Sequence, residues 1–110
     1  MKPSRLRPRA EQDLTDETRY LAAEAGAALA ERFFEAALDA LQPIERMPAM
    51  GSPRIGQLCD VPGLRSWGVS GFRLRWFYFE KDDHLDVVRL LGEREDILSI
   101  LAVDEDPPAS

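Results

Sequence analysis

The chain holds one cysteine, one histidine and two lysines in 110 residues, and each shortage narrows what it can be. A lone cysteine, Cys59, excludes an internal disulfide framework and fits a reducing cytoplasm. It stands in a Pro/Gly-rich stretch with no helix N-terminus in view, so an unremarkable thiol is expected there rather than a nucleophile. The single histidine, His84, falls beside an expected hairpin turn, where a solvated imidazole is a simpler expectation than a catalytic one. No apolar run approaches the roughly 20 residues of a membrane span. The N-terminal stretch MKPSRLRPRAEQ is basic but lacks the apolar segment of a secretion signal, so a soluble cytoplasmic protein is expected. Glu93, Glu95 and Asp96 crowd a helix start, where acids serve the helix dipole more often than they bind metal. Neither a metal nor a cofactor is expected. No internal repeat or low-complexity segment is present.

The residues that remain suit one α+β domain, expected over 1–103, with 104–110 (DEDPPAS) as a flexible acidic, proline-bearing tail. Twelve of the fourteen cations are arginine. Residues 46–75 carry five arginines and one acid, Asp60, so they sum to +4 and the remainder of the −6 chain to −10. A pI near 4.8 speaks against binding nucleic acid with the whole surface, and no sequence-specific nucleic-acid contact is expected.

Hydrophobic spacing supplies the elements. Residues 4–7 are short and extended, and Pro8 suits a helix entry. A helix from Arg9 has Ala10, Leu14, Leu21 and Ala25 on one stripe, with Gly26 as its stop. A second follows at once, with Ala30, Phe33, Phe34, Ala37, Leu38 and Leu41 at helical spacing and Pro43 at its end. One or two residues between them imply an antiparallel helix hairpin. Residues 43–63, with four prolines and three glycines, read as a long irregular connection. Strands are expected at 64–69, 72–80 and 84–91 as an antiparallel meander, and a short helix after Gly92. The expected fold is therefore a helix hairpin packed on a small antiparallel sheet, a two-layer solution.

The middle strand, GFRLRWFYFE, divides by alternation. Phe72, Leu74, Trp76 and Tyr78 share one face, and Arg73, Arg75, Phe77 and Phe79 the other. Either the arginines line a working surface, or their stems cover the sheet while their heads stay in water.

Element order and local motifs together resemble the ParE/RelE toxin superfamily of type II toxin–antitoxin systems, over about Arg5 to Leu101. The similarity is carried by Ala10, Asp13, Leu14 and Tyr20 in the first helix, and by Pro48, Met50, Gly51 and Arg54 in the connection. GLRSWGVSGFRLRWFYF and VVRLLGERED complete it, and the LRSW and GFR segments look more like ParE than RelE. The resemblance implies a toxin neutralised by a co-expressed ParD-like antitoxin. ParE-like members poison DNA gyrase; RelE-like members cut mRNA on the ribosome.

RNA cleavage needs proton-transfer groups as well as cations. Arg65 and Arg89 match RelE-like positions, but residues 52–63 offer only Arg54 in place of a lysine-rich loop, and the final helix has no tyrosine. The resemblance thus favours an inhibitor over a nuclease, with catalytic residues expected to be none. Arg65, Arg73, Arg75 and Arg89 are the target-binding candidates. Trp67, Trp76, Phe77 and Phe79, more ring surface than so small a core requires, are the antitoxin-binding candidates, with an all-core role as the alternative. A diverged, non-toxic member that only forms the antitoxin complex stays open as a third reading.

Overall fold

In the computed structural model, which describes residues 1–93 and 95–104, a four-stranded sheet of order β1-β4-β3-β2 stands between two sets of helices. Its strands are β1 (Ser4–Leu6), β2 (Arg65–Gly68), β3 (Leu74–Glu80) and β4 (Leu85–Gly92). The meander β2–β3–β4 is antiparallel as expected, but β1 joins β4 in parallel, Ser4 opposite Leu85 and Leu6 opposite Val87. The sheet is therefore mixed. The extended stretch at the N-terminus is legible in the sequence, but its parallel pairing with a strand some eighty positions away leaves no local pattern to read.

The hairpin is α1 (Pro8–Ala25) and α2 (Ala27–Asp39). Pro8 sits in the first turn of α1, where its missing N–H costs nothing. Gly26 joins the two at φ 98°, a conformation that side-chain-bearing residues rarely adopt, which is why the helices can meet across one residue. Ala30, Phe33 and Ala37 of α2 are buried, whereas Phe34 and Leu38, expected on the same stripe, are each 41% exposed. The inward face is narrower because it continues past α2. Ala40 stays helical and α3 (Leu41–Arg46) carries the stripe on through Leu41 and Ile44. Pro43 does not end the helix. It stands third in α3, among the N–H groups that have no intrahelical partner anyway.

The connection expected to be irregular also holds a 3-10 turn, Pro48–Met50, and α4 (Arg54–Leu58). Its prolines start short turns instead of breaking long ones: Pro48 opens the 3-10 turn and Pro53 precedes α4. Gly56 of α4 lies so close to the Leu64 and Val61 carbonyls that a Cβ would approach them to 2.5 and 3.0 Å, which fixes α4 against the start of β2. The last helix, α5 (Ile97–Asp104), begins later than expected because Asp96 caps it, accepting from Ser99 N–H (3.3 Å) and Ser99 Oγ–H (2.8 Å). Asp104 closes α5, and the rest of the expected tail lies outside the described residues.

The alternation of β3 survives intact. Trp76 and Tyr78 pack with the helix hairpin in the main core, joined by Phe72 and Leu74. Trp76 also donates from its indole to the Ala37 carbonyl at 2.8 Å, satisfying one of the free carbonyls near the end of α2. Phe77 packs on the opposite face with Leu64, Val88, Leu91 and Leu101, flanked by Phe79 and Ile55. That second cluster lies under α4 and α5, so both faces of the sheet are covered and the two-layer expectation gains a partial third layer. β3 starts at Leu74 rather than Phe72 because Phe72 N–H closes a turn on Val69 O (3.1 Å) with Gly71 at φ 85°.

Register shifts between Phe77, opposite Arg89, and Tyr78, opposite Val87, so Val88 is an extra residue on β4. This bulge flips the strand's alternation. Leu85 and Val87 face the hairpin core, Val88 and Leu91 the second cluster, and Leu90 the hairpin core again. It also keeps Arg89 off the hairpin core, where strict alternation would have placed it. Arg89 is instead 5% exposed and grips Asp13 of α1 through two N–H groups (2.7 and 3.1 Å). Removing one member of so buried a pair leaves an uncompensated charge, so Arg89→Met is expected to cost about 3–5 kcal/mol, against under about 1 kcal/mol for Lys2→Ala at the exposed Lys2–Glu80 bridge. Urea unfolding checks this: the midpoint should fall for Arg89→Met with the slope unchanged.

Candidate functional site

On the face opposite the helix hairpin, an open groove of about 670 Å³ runs between β4 and the segment leading into β2. Val61, Leu64, Phe79, Val88 and Leu101 form its apolar floor. Its cations are Arg7, Arg9, Lys81 and Arg89, and among the described residues no acidic side chain lines it. Two of them are already bound. Arg7 forks onto Asp86 at 3.0 and 2.8 Å, and Arg89 onto Asp13. Arg9, 65% exposed, lies 3.6 Å from Asp13, and the Lys81 ammonium stands 5.4 Å from the centre of the Phe79 ring. A shape of this kind, ring and aliphatic below and cation above, suits an amphipathic segment carrying acids.

The sequence-derived candidates do not form one surface. Trp76 and Phe77 have no accessible area, so in this conformation neither offers a contact. Trp67, paired across the sheet with Trp76, is half-buried against the hairpin core, and Phe79 is half-buried in the groove on the other face. The four rings thus divide between the two sides of the sheet.

The arginines divide as well. Arg65 is opposite Tyr78 and therefore on the hairpin side; Arg89 is opposite Phe77 on the groove side, with β3 between them. Arg65 donates to the carbonyls of Gly51 (2.7 Å) and Ala49 (3.3 Å), tying the 3-10 turn to β2. The same turn receives the Tyr78 hydroxyl, which donates to Pro48 O at 2.6 Å. A side chain at Gly51 would collide with that hydroxyl, so glycine is required there. Arg75 lies across β2, its Nε donating to Ser66 Oγ at 3.1 Å, and Arg73 is exposed near the Gly71 turn.

His84 is part-buried and bonded to the exposed Asp83 (2.6 Å), whose carboxyl it holds below the usual aspartate range. The pair belongs to the β3–β4 turn and neither residue is among those lining the groove. Among the described residues, no three His, Cys, Asp or Glu side chains are grouped so as to hold a metal. No helix among them is long and apolar enough to cross a membrane.

Sequence reasoning missed Asp86 and Arg7 as partners, and the role of Asp13 beyond a motif match. Asp13 accepts from Arg89 and also from the Leu90 backbone N–H at 3.0 Å. The signal available was an acid in the first half of α1 on the same side as Ala10 and Leu14, a position that faces protein rather than water.

Burial raises the Tyr78 phenol above its ordinary value near 10, opposed by a backbone hydrogen bond from Gly51 and the Arg65 charge. A raised acid keeps its proton longer folded than unfolded, so its contribution to stability is complete below about pH 10 and is lost as pH climbs through the folded-state value. Stability measured by urea unfolding should decline above about pH 10, and Tyr78→Phe should flatten that decline while lowering stability at pH 7 by about 1 kcal/mol through loss of the Pro48 bond.

A family profile described as the ParE toxin of type II toxin–antitoxin systems, parDE, matches residues 5–97. A solved structure titled "Chromosomal ParDE TA system from P. aeruginosa" superposes with a TM-score of 0.72 at 16% identity, covering 84% of this chain and 96% of that one. No curated protein sequence matches the chain.

Proposed function

Because the chain belongs to the ParE toxin family of type II toxin–antitoxin systems, we propose that it arrests growth in the cytoplasm by binding and poisoning DNA gyrase, and that a ParD-like antitoxin silences it. The toxin unit in this reading is 1–103, one residue short of the end of α5 at Asp104.

One observation carries a binding mechanism over RNA cleavage. Arg65 and Arg89, the two cations that match nuclease positions, emerge on opposite faces of the sheet and cannot converge on one phosphate. Each is also engaged: Arg65 with two carbonyls, Arg89 with Asp13. The phenol nearest Arg65 donates its proton to Pro48 O, which leaves it poorly placed as a catalytic acid.

The groove is the proposed antitoxin site. Phe79 anchors an apolar face, and Arg9 and Lys81 draw in acids, while Trp67 is left to the hairpin side. Arg65, Arg73 and Arg75 remain as target contacts. Arg89 supports them indirectly, by holding α1 in place.

Supercoiling of relaxed plasmid by purified gyrase, run beside in vitro translation, tests the reading. Supercoiling should stop, or cleaved DNA accumulate, with translation intact. Cleaved mRNA with normal gyrase would sink it. Arg9→Glu with Lys81→Glu should slow association with a ParD-like antitoxin about tenfold at low salt and remove most of the salt dependence.

A further inference from the structure

Carboxylates outnumber cations in this chain, 20 to 14, and the cations Arg7, Arg9 and Arg89 each stand beside an aspartate. Arg75 does not. Among the described residues its half-buried guanidinium meets only Ser66, through Nε to Oγ at 3.1 Å and Nη2 to the carbonyl at 3.5 Å. Ser66 is 1% exposed and is bridged to Ser52 in both directions (2.8 and 2.9 Å), so the anchor is firm. The guanidinium is held in position while none of its N–H groups meets an anion among the described residues.

Gly68 gives the fork room to lie against β2: a Cβ there would stand 3.3 Å from Arg75 Nη1, a tight contact that the bare backbone avoids. β2 is one of the two edge strands of the sheet. Ser66 turns its N–H and C=O away from β3 toward Ser52, and by the two-residue repeat Gly68 turns its own the same way. The chain that would pair with Gly68 has by then coiled into the Pro48–Met50 turn. The outcome is an open edge N–H beside a preset guanidinium.

We propose that this edge receives a carboxylate on an extended segment of the toxin's protein target. The inference rests on the reading that the protein acts by binding another protein. A planar fork on a fixed anchor matches a carboxylate in two-point geometry, and an edge N–H adds backbone pairing. Nucleic acid fits less well: a dense row of phosphates would meet a chain of net charge −6, whereas one carboxylate needs one local cation. The edge is also distinct from the groove. Arg75 is opposite Leu91, past the bulge from Val88 on the groove floor.

The test is titration of the isotope-labelled full chain with a hexa-aspartate peptide at physiological salt, reading the Gly68 amide and Arg75 Nε–H by NMR. Both should shift saturably. Arg75→Gln should abolish the Gly68 shift but leave shifts at Phe79 and Val88, and Arg75→Lys should weaken binding at Gly68 about tenfold, because it keeps the charge and loses the fork. Shifts confined to the groove would overturn the proposal, as would a Gly68 response that survives Arg75→Gln. So would a single-stranded oligonucleotide of equal charge that binds the edge more tightly than the peptide. In cells, Arg75→Gln should weaken growth arrest at least tenfold with antitoxin affinity unchanged, and undiminished arrest would also overturn it. If the wild-type protein leaves gyrase untouched, the gyrase reading fails alone, since the titration scores the edge without reference to that target.

Discussion

The Asp13 carboxylate is the tie on which the arrangement depends. β1 accompanies β4 only as far as Leu6 opposite Val87, and Arg7 N–H then closes on Val87 O. Beyond that point β4 has no strand on that side among the described residues, and its Leu90 N–H would be a bare edge donor. Asp13 takes that N–H and the Arg89 guanidinium together. Helix α1 therefore completes the sheet where β1 stops. Glu95 repeats the device one step on, accepting Gly92 N–H at 2.6 Å. Buried ion pairs are weak evidence for net stability, but this one fixes the angle at which the hairpin meets the sheet.

The bulge at Val88 is the counterpart of that tie. It directs Arg89 to the edge where Asp13 waits, and it moves one β4 residue from each core to the other. A single added residue thus furnishes two cores, one beneath the hairpin and one beneath α4 and α5. The groove lies where the second core is left uncovered. Its floor is apolar because Phe79, Val88 and Leu101 belong to that core, and its rim is basic because Arg7 precedes α1 and Arg9 stands in its first turn.

Four of the arginines fall into two groups. Arg7 and Arg89 hold the framework through aspartates; Arg65 and Arg75, on or against β2, touch only neutral oxygens among the described residues. A charge that is held rigidly by neutral partners keeps most of its capacity for an outside anion. This division, rather than the abundance of arginine, points to β2 as a contact edge.

The sequence alone determined what depends on local spacing. The two long helices, the Gly26 break and the meander are all written in periods of 3.6 and 2. So is the split of Trp76 and Tyr78 from Phe77, because alternation is a property of the extended backbone itself. The Pro48–Gly51 and LRSW motifs were legible as family marks, and the family profile over 5–97 agrees with them. Tertiary structure alone decided what depends on distant partners. The parallel pairing of β1, the Asp13–Arg89 tie and the Arg7–Asp86 fork each join residues more than seventy positions apart. The exposure of Phe34 and Leu38 depended on how wide a helix face the sheet could cover. Which arginine serves the framework and which stays open to a partner is likewise invisible in a one-dimensional pattern. It depends on whether the fold brings a carboxylate within hydrogen-bond reach.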